Sequence, residues 1–381
     1  MTRVYLDHNA TTPLRPEART AMVAAMTAVG NASAVHAEGR AARRMIEEAR
    51  QSVAALVGGD PRCVTFTSGG SEAAATVLSP DFSGIAAKGP FARLIVSAIE
   101  HSCVLAGGRC APEAVMVCPV TETGVVDLAR LDTLLAEGGP ALVALMAANN
   151  ETGVIQPVAE VAALCRAHGA ALVVDAVQAL GKIPLSMAAL GCDALFVSAH
   201  KIGGPAGVGA IVTASEAVAF APLVRGGGQE GRRRAGTENL AGIAGFGAAA
   251  RAVAAEAGEG ARVGALRDRL EAGLVALVPD IRVIGAGADR LPNTSLTLHP
   301  GREGETLTIA LDLAGIAVST GSACSSGKVA PSHVLAAMGI SPREARSALR
   351  ISLGWTTTPA DIDRFLAAYA AHVKTGAARA A

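Results

Sequence analysis

Aromatic residues are scarce in this chain: Phe, Tyr and Trp make up 3 % of its 381 residues. A core built from large rings is excluded, so small aliphatic side chains must fill the interior, and 43 glycines permit close backbone approaches. That combination suits helices packed on a parallel sheet whose strands are buried on both faces. Net charge is lacking as well, with 33 Lys and Arg against 33 Asp and Glu. No global basic field exists to hold nucleic acid or an anionic membrane. No apolar run nears the ~20 residues that span a bilayer, and residues Met1 to His8 lack the apolar core of a secretory signal. A soluble, cytoplasmic protein is the expectation, with no nucleic-acid or membrane partner. The seven cysteines contain no CxxC pair, so a zinc ribbon is unsupported and no metal site is expected. Their odd number in a long chain argues against a disulfide framework.

What is present is an alternation of short apolar runs with longer helical patterns. Cys63 to Thr67, Leu94 to Ser97, Val115 to Cys118, Ala141 to Met146, Ala171 to Asp175, Ala194 to Ser198 and Val208 to Val212 read as strands. Helical stretches lie between them, such as Val158 to His168, apolar at Val158, Val161, Ala162 and Cys165. The order predicts an α/β fold with a mostly parallel seven-stranded sheet flanked by helices. In such sheets ligands bind beyond the carboxyl ends of the strands. Ser68, His101, Asn150, Asp175 and His200 all fall at or just after predicted strand ends. From about Gly258 the pattern changes. A helix over Leu266 to Leu277, strands at Ile281 to Ile284 and Thr294 to Leu298, and helices near Glu305 to Leu313 and at the C-terminus read as a smaller α+β domain.

Three features point to chemistry. Lys201 follows a strand in Ser198-Ala-His-Lys201, at the open edge of the sheet. Pyridoxal phosphate (PLP) needs such a lysine for a Schiff base, and a carboxylate near its pyridine nitrogen to keep the ring an electron sink. Asp175 ends the preceding strand, one strand–helix–strand unit before Lys201, and Gln178 is placed to donate to the cofactor's phenolic oxygen. Ser68-Gly-Gly-Ser71 follows a strand and opens a helix, an arrangement whose N–H groups receive phosphate. No Walker motif competes for that role. Third, Cys324 lies in Thr320-Gly-Ser-Ala-Cys-Ser-Ser-Gly327. Small polar neighbours mark an accessible thiol able to reach a target and leave it. Taken singly, each feature has an ordinary alternative: a strand-end lysine, a turn aspartate, an incidental loop cysteine.

Taken in order, these residues resemble the NifS/IscS-type cysteine desulfurases, within the class-V aminotransferase-like, fold-type I PLP enzymes. The matching segments are Tyr5-Leu-Asp-His-Asn-Ala-Thr-Thr-Pro13, Gly30-Asn31, Thr67-Ser-Gly-Gly-Ser-Glu72, Glu100-His101, Asn149-Asn-Glu-Thr-Gly153, Val174-Asp-Ala-Val-Gln178, Ser198-Ala-His-Lys201, Arg234-Ala-Gly-Thr237, Gly321-Ser-Ala-Cys324 and Leu349-Arg-Ile-Ser-Leu-Gly354. The resemblance implies a large PLP-binding domain over 14–257 and a small domain of 1–13 and 258–381 carrying the Cys324 segment and Arg350. It implies that Lys201 holds PLP and moves the substrate Cα proton, and that His101 stacks on the ring and acts in acid/base work. Asp175 pairs with the ring nitrogen, Asn150 and Gln178 address the ring oxygen, and Gly70, Ser71, Ser198 and His200 hold the phosphate. Thr237 reaches the phosphate of a partner subunit, which implies a homodimer. Arg350, assisted by Asn31, binds the carboxylate of L-cysteine. Cys324 takes the sulfur as a persulfide and passes it to an acceptor protein such as an iron–sulfur cluster scaffold, leaving L-alanine. Another PLP reaction on the same scaffold, a selenocysteine lyase or an aminotransferase, and an inactive sulfur carrier of the same fold are the alternatives.

Overall fold

A computed structural model describes residues 3–320 and 332–380, without the side chains of 374–380. Seven strands form one sheet in the order Val64–Thr67, Gly209–Thr213, Ala194–Ser198, Ala171–Asp175, Ala141–Met146, Arg93–Ser97, Val115–Cys118. Only Gly209–Thr213 runs against its neighbours; the other pairings are parallel. The reason is the short link from Ser198 to Gly209, which leaves no room for the crossover helix that a parallel return needs.

Alternation along the strands splits the interior into two layers. Val143, Leu145, Leu172, Val174, Leu195 and Val197 share one apolar cluster with helices Ala37–Leu56, Val158–Ala167 and Leu240–Ala255. Leu142, Ala144, Val173, Ala194, Phe196 and Ile211 face the other way, against helix Gly70–Val77. With few rings available, small residues set the spacing. A Cβ on Gly247 would lie 2.5 Å from the Cα of Ala49, so helices Leu240–Ala255 and Ala37–Leu56 meet almost backbone to backbone.

The C-terminal part forms a second, antiparallel sheet, in which Thr294–Leu298 lies between Ala348–Ser352 and Arg282–Val283. Helices Glu259–Leu277, Gly304–Leu313 and Pro359–Ala380 cover it around Leu270, Leu311, Phe365 and Tyr369. The N-terminal strand Val4–Tyr5 pairs with Ile316–Ala317, and Asp7 bridges to Ser352. Residues 7–10 are thereby held between the two sheets.

The structure departs from the sequence reading at several edges. The helix expected from Leu266 begins at Glu259, because Gly260 and Gly264 weaken its first turns to the eye without breaking them. The strand expected over Ile281 to Ile284 contracts to Arg282–Val283. Helices Pro16–Thr27 and Ala37–Leu56 were not read from the sequence at all. No single helix among the described residues is long and apolar enough to cross a membrane.

Candidate active site

A cavity of about 390 Å³ opens where the parallel strands end. Gly70, Ser71, His101, Asn150, Asp175, Gln178, Ser198, His200, Lys201 and Arg350 all line it. Four adjacent strands deliver most of these groups from their carboxyl ends, as the fold rule requires. Asp175 stands opposite Phe196 on the neighbouring strand, so the ends leading to Asp175 and Lys201 lie side by side.

Asp175 is buried and accepts the Val177 backbone N–H at 2.9 Å. Burial pushes its pKa up to about 6, while that hydrogen bond and Lys201 pull the other way. A protonated ring nitrogen beside it would offset the cost of burying the carboxylate. Lys201 Nζ donates to the backbone oxygens of Asn9 at 2.5 Å and Ala10 at 2.8 Å, which hold it at the cavity wall.

The phosphate end is built from backbone. Gly69 has φ 156°, a conformation that L side chains rarely adopt, and it turns the chain into helix Gly70–Val77. A Cβ on Gly70 would come 3.2 Å from Val177 Cγ2 and 3.9 Å from Ser198 Cβ, so Gly70 keeps the helix start close to the next strand end. His200 sits nearby with its Nδ1 3.2 Å from Thr11 Oγ1. Burial, then Lys201 and Lys182, lower its pKa to about 4, so it meets an anion as a neutral hydrogen-bonding ring. These donors suit a phosphate, and Asp175 suits the opposite end of a pyridine ring. The cavity fits PLP.

His101 caps the short helix Ser102–Leu105, its Nδ1 accepting from Cys103 N at 3.2 Å. That bond leaves the proton of the neutral ring on Nε2. Burial, Lys201 and His333 lower its pKa, so the ring is neutral at pH 7. Beside it Glu100 is fully buried, one carboxyl oxygen accepting from Met146 N at 2.8 Å and the other without a partner among the described residues. Burial and Asp175 push Glu100 well above the usual carboxylate range.

Arg350, on strand Ala348–Ser352, is buried at the cavity edge. Its Nη2 donates to Asp7 Oδ1 at 2.8 Å and Nη1 to Asn150 O at 3.1 Å, while Nε is buried without a partner among the described residues. A guanidinium that lines the cavity and is held from one side is arranged to take a further carboxylate.

Two expected residues are not brought to this cavity. Asn31 is exposed, its Oδ1 accepting from Ser33 N at 2.8 Å. Thr237 is exposed and lines a separate cavity with Ser68, Arg234 and Glu238. Cys324 lies outside the described residues. The described residues on either side of it do reach the site. Ser319 pairs with Arg350 through two backbone bonds of 2.7 and 3.1 Å. Ser332 Oγ donates to Glu151 Oε2 at 2.6 Å, and His333 Nε2 lies 2.9 Å from Glu100 O. The sequence reading assigned no role to Asp7, Asn9, Cys103 or Lys182. Asn9 is 1 % exposed and joins both sheets, donating to Asn150 O at 3.1 Å and Thr294 Oγ1 at 2.9 Å. Its only sequence signal was its place in the Tyr5 to Pro13 match.

Residues 4–365 match the model of the aminotransferase class-V family. A cysteine desulfurase of Cereibacter sphaeroides is 45 % identical over 374 residues, covering 96 % of this chain and 94 % of that protein. The chain belongs to the cysteine desulfurase family, within the class-V aminotransferases. Among solved structures, a NifS-like protein from Rickettsia africae superposes with a TM-score of 0.87 at 36 % identity, covering 96 % of this chain and 98 % of the other. SspA in complex with cysteine superposes with a TM-score of 0.76 at 27 % identity, covering 92 % and 99 %. The desulfurase family is PLP-dependent, and its fold is the one described above: a mostly parallel seven-stranded sheet with a smaller α+β part.

Proposed function

We propose that this chain removes sulfur from L-cysteine, releasing L-alanine and leaving the sulfur on Cys324, with PLP bound in the 390 Å³ cavity. The observation that carries the reading is the convergence of Lys201, Asp175, His101 and Arg350 on that one cavity. Bound there, PLP supplies an electron sink that makes the substrate's Cα proton and Cβ–S bond labile.

The chain's own residues do the rest. Lys201 attaches the cofactor and carries the proton at Cα. His101, neutral at pH 7, stacks on the ring and exchanges a proton at its ring nitrogen. Asp175 holds the ring nitrogen, Asn150 and Gln178 the ring oxygen, and Gly70, Ser71, Ser198 and His200 the phosphate. Arg350, assisted by Asn31, fixes the substrate carboxylate. The Cys324 thiolate forms a bond to the substrate sulfur as the Cβ–S bond breaks. The Cβ–S electron pair stays with the carbon skeleton, which is protonated to alanine, and Cys324 keeps the sulfur as a persulfide. An acceptor protein, such as an iron–sulfur cluster scaffold, then takes it.

The reading extends to a homodimer in which Thr237 reaches the partner's phosphate. It is supported by the exposed position of Thr237 outside its own chain's cavity, and by Val23, Met26, Val29 and Val35, which are 56–88 % exposed near the N-terminus. A large domain of 14–257 and a small one of 1–13 and 258–381 belong to the same reading. It is supported by the packing of Val4 and Leu6 with Leu349 and Phe365. A cytoplasmic location agrees with the free thiols of Cys63, Cys103, Cys110, Cys118, Cys165 and Cys192.

The test is alanine release from L-cysteine with added PLP and a thiol reductant, for the intact protein and Cys324→Ala. Release by the intact protein that disappears in the variant is the expected result. Equal release by both would overturn the role of Cys324, and no release by the intact protein would overturn the activity.

A further inference from the structure

Lys182 follows Gln178 by four residues in a run of turns, and its side chain runs inward from a half-buried stem. Its Nζ donates to Gln178 Oε1 at 2.5 Å and to Asn9 Oδ1 at 2.8 Å. Both acceptors belong to buried residues that line the cofactor cavity. Gln178 Nε2 in turn donates to Asn9 O at 3.0 Å, the same oxygen that receives Lys201 Nζ. Asn293 Nδ2 completes the set, donating to Asn9 Oδ1 at 3.0 Å.

An amide can be turned either way round, and only its hydrogen-bond partners decide which. Here Lys182 and the Asn9 carbonyl decide it together. With a donor fixed on Oε1, reversal of Gln178 would set its NH₂ against the lysine nitrogen, donor against donor. Gln178 therefore presents N–H groups, one to Asn9 O and the second available to the cavity beside Asp175. A cofactor oxygen at that position is an acceptor, so the orientation is the productive one.

We propose that Lys182 is a positioning residue of the desulfurase site, which acts through Gln178 by holding its amide with the N–H side toward the cofactor oxygen. The inference rests on the reading that Lys201 carries PLP in this cavity. The charged and titratable groups acting on Lys182 are His8, His200, Lys201 and Arg350, and Arg15, Glu256 and Glu259 line a second cavity with it. Burial and the Lys201 and Arg350 charges push its pKa well below the usual lysine value.

The test uses the PLP-loaded protein and follows the pH at which the cofactor's visible absorption band changes, alongside kcat and KM for L-cysteine. Lys182→Met is expected to raise that pH by about one unit, because a hydrogen bond to a charged oxygen is worth about 1.5–3 kcal/mol and one pK unit is about 1.4. It should lower kcat about tenfold by the same conversion, with KM changed less than about twofold, since Lys182 does not bond Arg350. Lys182→Gln, which keeps a donor without an ammonium, should restore most of the band position. Gln178→Leu should shift the band as Lys182→Met does, and adding Lys182→Met to it should shift it no further. These two variants also settle the matter if Lys182→Met fails to fold. A band in Lys182→Met that titrates with the wild type, or an additive shift in the double variant, would overturn the role of Lys182 and leave the site reading intact. A wild-type protein that takes up no PLP would overturn both.

Discussion

Asp7 and Arg350 stand 343 positions apart in the chain, and the Asp7 carboxylate receives the Arg350 guanidinium at 2.8 Å. The Arg350 side chain is 2 % exposed and that of Asp7 19 %. The pair fixes the guanidinium plane at the mouth of the cofactor cavity and leaves the buried Nε without a partner among the described residues.

If that plane orients L-cysteine, Arg350→Ala should lower kcat/KM about 10- to 150-fold, the worth of a hydrogen-bonded charged contact of about 1.5–3 kcal/mol. Asp7→Asn should lower it less, through KM rather than kcat, because the guanidinium stays but loses its fixed plane. Arg350→Lys should resemble Arg350→Ala, since an ammonium cannot replace the planar fork. Steady-state alanine release at varied L-cysteine checks all three.

Cys103 lies in the same cavity as Lys201 and is the one described cysteine there. Burial and the nearby Asp175 push its thiol up to about 12, so at pH 8 it is almost wholly protonated and a poor nucleophile. Cys103→Ser should therefore keep at least about half the alanine release, while Cys324→Ala loses it. Loss of release in Cys103→Ser alone would move the nucleophile into the cavity.

Glu151 receives Ser332 Oγ at 2.6 Å and is buried, with its pKa raised to about 7, mainly by desolvation. Its folded pKa lies above the unfolded one, so the native state binds the extra proton between about pH 4.5 and 7. The stability it lends is full below pH 4.5 and declines through pH 7, by about 3 kcal/mol over that window. Glu151→Gln keeps an acceptor for Ser332 without a charge. Its urea midpoint should fall less than that of the wild type as pH rises from 5 to 8, and parallel slopes would count against the assignment.

Glu230 receives Arg50 through two bonds of 2.8 Å and the Phe66 backbone N–H at 2.8 Å, and its side chain is 3 % exposed. Arg50 also lies 5.0 Å over the Phe66 ring. Glu230→Ala leaves the Phe66 strand N–H unpaired and removes two bonds from Arg50, which keeps Glu47 and the Val64 carbonyl, so it should destabilise the fold by about 1–3 kcal/mol. Because Glu230 anchors the segment that leads to Thr237, weaker PLP binding should accompany the loss. Chemical unfolding and PLP titration of the same variant check both.

The sheet was legible because its strands are continuous apolar runs. Ala141–Met146 and Ala194–Ser198 are buried at every position, and the sequence marks both to the residue. Helix Ala37–Leu56 escaped because its buried stripe is Gly39, Ala42, Ile46, Ala49 and Val53, mostly small residues that carry little apolar signal. The strand-end groups were legible for the same reason as the strands: Asp175, Ser198 and Lys201 follow apolar runs directly, and a parallel sheet brings such ends together.

The sequence by itself determined the sheet, the strand-end groups and the family, since each is written in contiguous residues. Only the tertiary structure decided what touches those groups. The return of Val4–Tyr5 to pair with Ile316–Ala317 carries Asp7 to Arg350 and Asn9 to Lys201, Gln178 and Lys182. Local pattern holds no record of those contacts, because they join segments far apart in the chain through a pairing two residues long.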